Sequence, residues 1–124
     1  MITTTVDKSL KLTIHRCRGK VTVAEIQSII EEFYKQGTTL NVFWDLSEAD
    51  LSRVTIAEIE QLAKAVNAVA HSRTGGKTAI ISPVDISFGL SRVYQAFSEM
   101  GKSETEIRVF RGEDEALEWL KGSS

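Results

Sequence analysis

Apolar positions along this chain recur in two rhythms that alternate with each other. Over residues 10–18, Leu10, Leu12 and Ile14 take turns with Lys11, Thr13 and His15, the period of two expected of a half-buried strand. Residues 2–6 form a matching run across Asp7-Lys8-Ser9, so the amino-terminal segment reads as a β-hairpin. The rhythm then changes: Ile26, Ile29, Ile30, Phe33 and Tyr34 form one stripe of a helix over residues 22–36, which Gly37 ends. Residues 40–45 return to strand, with Phe43 beside Asn41 and Asp45 on one face and Trp44 beside Leu40 and Val42 on the other. Apolar side chains on both faces suit a strand deep inside a parallel sheet. After a polar segment over 47–53, a second stripe of Ile59, Leu62, Ala63, Val66 and Ala70 runs up to Gly75-Gly76. Residues 77–82 are the next strand, and Pro83 marks its passage into a third helix carrying Leu90, Val93, Tyr94 and Phe97. Residues 106–110 suit an edge strand, and Glu113-Asp114-Glu115 suits the first turn of a last helix with Ala116, Leu117 and Leu120.

Two helix starts carry an explicit signal. Thr22-x-x-Glu25 and Thr55-x-x-Glu58 are capping boxes, in which the Thr oxygen accepts from the Glu amide and the Glu carboxylate accepts from the Thr amide. Strands alternating with capped helices predict an α/β domain of order ββαβαβαβα with a largely parallel five-stranded sheet. Residues 1–121 read as one domain and 122–124 as a disordered tail.

Composition narrows the function classes. A chain of 124 residues supports one core without metals or disulfides, and 15 basic against 17 acidic residues give no pull toward nucleic acid. The single Cys17 excludes an internal disulfide and points to a reduced, cytoplasmic setting. The amino terminus lacks the apolar core of a signal peptide, and no apolar run approaches the roughly 20 residues of a membrane-spanning helix.

Candidate chemistry is sparse. Gly76-Lys77-Thr78 imitates the end of a phosphate-binding loop, but it leads into a strand rather than a helix, and the first motif glycine would fall on His71. His15 and Cys17 share a strand face, where two ligands fall short of a structural zinc site, so they read as a surface or half-buried pair. No nucleophile, base and orienter can be assembled, and the chain is expected to be no enzyme and to need no cofactor or metal. Asp45, Ser47, Thr55, Ser82, Asp85 and Arg92 are the candidate binding residues, because carboxyl ends of parallel strands and the following helix starts gather at one sheet edge. Asp, Ser and Thr are also ordinary cap and turn residues, and a sheet in sequence order has no topological switch point for a ligand crevice.

Three segments resemble one family: Gly19-Lys20-Val21-Thr22, residues 88–94 with sequence FGLSRVY, and residues 109–120 with sequence VFRGEDEALEWL. They resemble the SpoIIAA-like proteins, relatives of STAS domains and of the CRAL-TRIO lipid-binding fold. The resemblance implies a βα superhelix whose first strand is added at one edge. It also implies a regulatory module that binds a protein partner or itself, or alternatively a small carrier of a lipid or other apolar ligand. STAS relatives are often switched by phosphorylation of a Ser at the start of the helix after the third strand. Counted from Asp45, the Asp-Ser pair of that pattern falls on Arg53-Val54, and the next hydroxyl, Thr55, serves as a helix cap.

With strands in sequence order, right-handed crossovers carry successive helices to one side of the sheet. Phe43 and the Ala79-Ile80-Ile81 run leave the other face apolar, so it is expected to be covered by a displaced helix, a partner subunit or an apolar ligand.

Overall fold

Both capping boxes close as reciprocal pairs. Thr22 Oγ1 accepts from the Glu25 amide at 3.2 Å and Glu25 accepts from the Thr22 amide at 3.4 Å, while the Thr55 and Glu58 bonds measure 3.2 and 3.0 Å. The computed structural model describes residues 1–122. Its elements are β1 (Ile2–Asp7), β2 (Leu12–Lys20), α1 (Val23–Gln36), β3 (Asn41–Asp50), α2 (Ile56–Val69), a 3-10 turn (Ala70–Arg73), β4 (Lys77–Ile81), α3 (Asp85–Met100), β5 (Glu106–Phe110) and α4 (Glu113–Leu120). The five strands form one sheet in the order β1-β2-β3-β4-β5, with β1 antiparallel to β2 and every later pair parallel. This is the expected α/β order with its antiparallel edge strand. Of the tail expected over 122–124, residues 123–124 lie outside the described residues, and the Gly122 amide donates to the Trp119 carbonyl at 3.2 Å.

The sheet's two faces are apolar and both are covered. Cys17, Val21, Leu46, Leu51, Ile80 and Ile107 form a core with Ile26 of α1 and Leu90 and Tyr94 of α3. On the opposite face Leu12, Phe43, Ala79 and Ile81 pack beneath Ala116 and Leu120 of α4. Of the three covers expected for that face, it has the displaced helix.

Three local readings change. β2 is not half buried: Leu12 is 1% exposed on one face while Thr13, His15 and Cys17 are 1–3% exposed on the other. Its polar groups tolerate burial because Thr13 Oγ1 pairs with Thr39 Oγ1 at 2.7 Å and His15 Nδ1 with Thr4 Oγ1 at 2.8 Å. Second, β3 continues through the polar stretch to Asp50. Arg16 pairs with Asp45 but Arg18 with Glu48, so β3 carries one extra residue, a bulge that keeps the ladder running. Third, the residues of α3 that are fully buried are Ser87, Ser91 and Ser98, whereas Leu90, Val93, Tyr94 and Phe97 are half-buried. These small side chains let the helix approach its neighbours closely, and the Ser82 and Ser91 hydroxyls meet at 3.1 Å.

Candidate functional site

The bulge in β3 organises the sheet edge singled out from sequence. Asp45 accepts hydrogen bonds from both the amide and the hydroxyl of Ser47, and from Arg16 Nη1 at 2.7 Å. Arg16 also reaches Glu113 at the start of α4, at 3.1 Å, and lies 5.7 Å from the Phe43 ring centroid. Partial burial acts to raise the Asp45 carboxyl, but the Ser47 and Arg16 bonds outweigh it and hold the group below its ordinary range. Asp85, at the first position of α3, pairs with Arg111 at 2.7 Å, and that guanidinium lies over the Phe88 ring at 4.0 Å.

The candidate residues do not form one cluster. Asp45 and Ser47 touch each other, whereas the Thr55 hydroxyl is committed to its own cap and Asp85 to Arg111. Ser82 is 0% exposed and faces Ser91, so burial withdraws it from any contact surface. Arg92 is exposed two turns into α3 and pairs with none of the others. The same edge carries apolar side chains that were not singled out. Ile56 opens α2 and is 59% exposed, while Val84 and Ile86 flank the start of α3 at 50% and 60%.

Residues 12–121 match the SpoIIAA-like family. The chain belongs to that family. Solved structures agree on the fold. An uncharacterized protein of the DUF3478 family from Shewanella loihica PV-4, with a SpoIIAA-like fold, superimposes with a TM-score of 0.60 at 17% identity, covering 97% of this chain and 92% of the other. The anti-sigma factor antagonist SpoIIAA in its unphosphorylated form gives 0.54 at 14% identity, covering 98% and 99%. The Bacillus cell fate determinant SpoIIAA in its phosphorylated form gives 0.53 at 16%, covering 97% and 99%. No curated protein matches the chain.

Within this SpoIIAA-like sheet, the opposite end of the strands holds a group that sequence reasoning passed over. Arg73, in the turn after α2, is 4% exposed. Its Nε donates to the Leu40 carbonyl at 3.1 Å, Nη2 to the Lys77 carbonyl at 3.0 Å and to Thr78 Oγ1 at 2.9 Å, and Nη1 points to the Tyr34 hydroxyl at 3.4 Å. Gly76 passes so close to the Leu40 carbonyl that any Cβ would collide with it. The Gly-Lys-Thr sequence thus serves a close backbone crossing, not phosphate binding. A charged residue just beyond a helix reads as solvent-exposed from sequence, and no periodicity marks Arg73 as interior.

His15 lies nearby, its ring 4.3 Å from Trp44 and 6.0 Å from Phe33, centroid to centroid. Burial first, and then the Arg73 charge, lower its pKa to about 4. His15 and Cys17 are therefore not a surface or half-buried pair: both are interior, and burial pushes the Cys17 thiol up to about 12. Among the described residues there is no cluster of three or more His, Cys, Asp or Glu able to hold a metal ion, and no helix is long and apolar enough to cross a membrane.

Between the sheet and helices α1, α2 and α3 lies a cavity of about 70 Å³ walled by Ile26, Leu46, Ile59, Leu62, Ile80 and Leu90 among others. A smaller space of about 30 Å³ reaches Arg73 and His15. Drug-sized ligands occupy roughly 300–1,000 Å³, so a two-chain lipid has no room in this arrangement.

Proposed function

We propose that this SpoIIAA-like chain is a non-catalytic interaction module that docks a protein partner, or a second copy of itself, through the edge where β3 and β4 end and α2 and α3 begin. The observation that carries this reading is the exposure of Ile56, Val84 and Ile86 at the starts of α2 and α3, where Thr55 and Asp85 adjoin them in the chain. Apolar side chains rimmed by hydroxyls and a carboxylate have the composition of an interface core with a polar rim. The solved relative described as an anti-sigma factor antagonist is consistent with a protein-binding role for the fold. A cytoplasmic setting suits a free, buried Cys17.

The test compares the wild-type chain with an Ile56→Asp/Ile86→Asp double variant. Sedimentation reads self-association, and affinity capture followed by titration with the isolated partner reads heterologous binding. Loss of at least about tenfold in affinity in the folded double variant supports the edge as the docking surface. Equal binding by both proteins removes it.

A further inference from the structure

We infer that β1 is an interface between copies of this chain: two β1 strands pair antiparallel about a twofold axis at Thr4 and join their sheets into one. This lateral border of the sheet is separate from the docking edge, and the pairing does not depend on it.

The first reason is a row of open backbone groups. Met1 and Arg18 exchange two bonds, the Met1 nitrogen donating to the Arg18 carbonyl at 2.8 Å and the Arg18 amide to the Met1 carbonyl at 2.9 Å. The antiparallel register runs on without interruption to Asp7 opposite Leu12. Bonded and non-bonded pairs alternate in such a ladder, so Thr3, Thr5 and Asp7 turn their amides and carbonyls to β2, and Ile2, Thr4 and Val6 turn theirs outward. Among the described residues no strand other than β2 pairs with β1. Charge, proline and bulges are the usual means of blunting a strand border, and residues 2–6 have none of them. The opposite border is blunted: Glu106 and Arg108 put charge on β5, and Gln95 Nε2 donates to the Ile107 carbonyl at 2.8 Å.

The second reason is self-complementarity, which a twofold interface requires and which selects a second copy as the occupant. With Thr4 opposite Thr4 of the second copy, Ile2 falls opposite Val6 and Val6 opposite Ile2, so all the outward residues meet one another and each pair closes two hydrogen bonds. A slip of one residue sets outward groups against residues whose groups turn inward, and a slip of two leaves one pair open. On the face shared with His15, Val6 is 55% exposed in the single chain and gains an isoleucine neighbour. On the other face exposed Thr3 and Thr5 stand opposite each other, a favourable cross-strand pair. No like charges oppose, because Asp7 falls opposite Met1.

Sedimentation of the purified chain is the test. One pair of six-residue strands lies at the low end of specific interfaces, so dimers are expected at roughly 100 μM protein. Amide exchange should slow at Ile2, Thr4 and Val6 as concentration rises, and stay unchanged at Thr3 and Thr5. Val6→Pro removes an outward amide that β2 does not use, so the chain should fold by circular dichroism and melting yet associate at least about tenfold more weakly. Thr3→Glu/Thr5→Glu sets like charges across the junction and should weaken association about tenfold, whereas Thr3→Glu/Thr5→Lys sets opposite charges there and should preserve it. Ile56→Asp/Ile86→Asp, aimed at the docking edge, should dimerise as the wild type does. A wild-type chain that stays monomeric at about 300 μM overturns the inference. So does a folded Val6→Pro protein that dimerises undiminished. If Val6→Pro does not fold, the two Thr3/Thr5 variants decide, and equal association by both overturns it.

Discussion

The His15 imidazole lies against the Trp44 indole with ring centroids 4.3 Å apart and planes tilted by 36°, so a titratable ring occupies a core position between neighbouring strands. Phe33 stands edge-on to the same imidazole, and the Arg73 guanidinium, 5.8 Å from the Phe33 centroid, closes off the same space. Protonating His15 in the folded chain would place a second cation there. Burial first, and then this repulsion, lower its pKa from 6.5 to about 4.

Acid stability should reveal this. Above about pH 6.5 the ring is neutral folded and unfolded, and it contributes nothing to the pH dependence. As pH falls from there, the unfolded chain takes up a proton that the folded chain refuses, so stability declines. The loss approaches about 3 kcal/mol, and His15 adds nothing further below about pH 4. Urea midpoints between pH 7 and 4 should fall steeply in the wild type and markedly less in His15→Gln. Equal slopes would show that the ring titrates normally.

Cys17 should be chemically silent in the native state. The thiol is 2% exposed and burial pushes its pKa up to about 12, so almost no thiolate is present or reachable at pH 8. Modification by a coloured disulfide reagent should proceed at the rate or population of opening, rising sharply in urea. A fast stoichiometric reaction in native buffer would contradict the burial.

The two caps should contribute independently. Thr22→Ala and Thr55→Ala each remove one reciprocal pair at a helix start, and each is expected to lower stability by about 1 kcal/mol. The residues sit on different helices, so the double variant should lose the sum to within about 0.5 kcal/mol. A negligible effect at Thr55 would free its hydroxyl for another role.

Helix α4 should matter far more than its eight residues suggest. Leu120→Ala opens a void above Phe43 and Ile81 and is expected to cost about 3 kcal/mol, read from denaturant midpoints. Binding of a hydrophobic dye at intermediate urea should increase in step. An unchanged midpoint would mean that the second sheet face needs no cover.

How much of this was legible depended on whether a residue's role shows in its near neighbours. Thr22 with Glu25 and Thr55 with Glu58 act across three positions, so the helix starts could be read directly. The alternation of elements predicted a largely parallel sheet, the family resemblance implied its winding in sequence order, and the need to cover Phe43 followed from its alternation with Trp44. The extension of β3 to Asp50 was hidden because Ser47 and Glu48 look like loop residues, although β2 pairs Glu48, Ala49 and Asp50 from outside the segment. The interior of α3 was misread because close packing selected Ser87, Ser91 and Ser98, which carry no hydrophobic signal. At the candidate edge, Asp45 with Ser47 was readable as a local turn, but the burial of Ser82 depends on Ser91 in the next helix. Arg73 was invisible for the same reason, since its acceptors are Leu40, just before β3, and Thr78 of β4.

The order of the strands has a temporal side. Because β2 through β5 are neighbours in space in the order of their synthesis, each newly made βα unit finds the edge of its predecessor waiting, and the chain need not search for a distant mate. The face bearing Leu12 and Phe43 follows a different clock. It is assembled early but stays greasy until α4, the last helix in the sequence, folds back over it. A ribosome-bound chain that has finished β4 therefore carries a nearly complete sheet with one sticky side, and a pause in translation before α4 is the moment of greatest risk of aggregation.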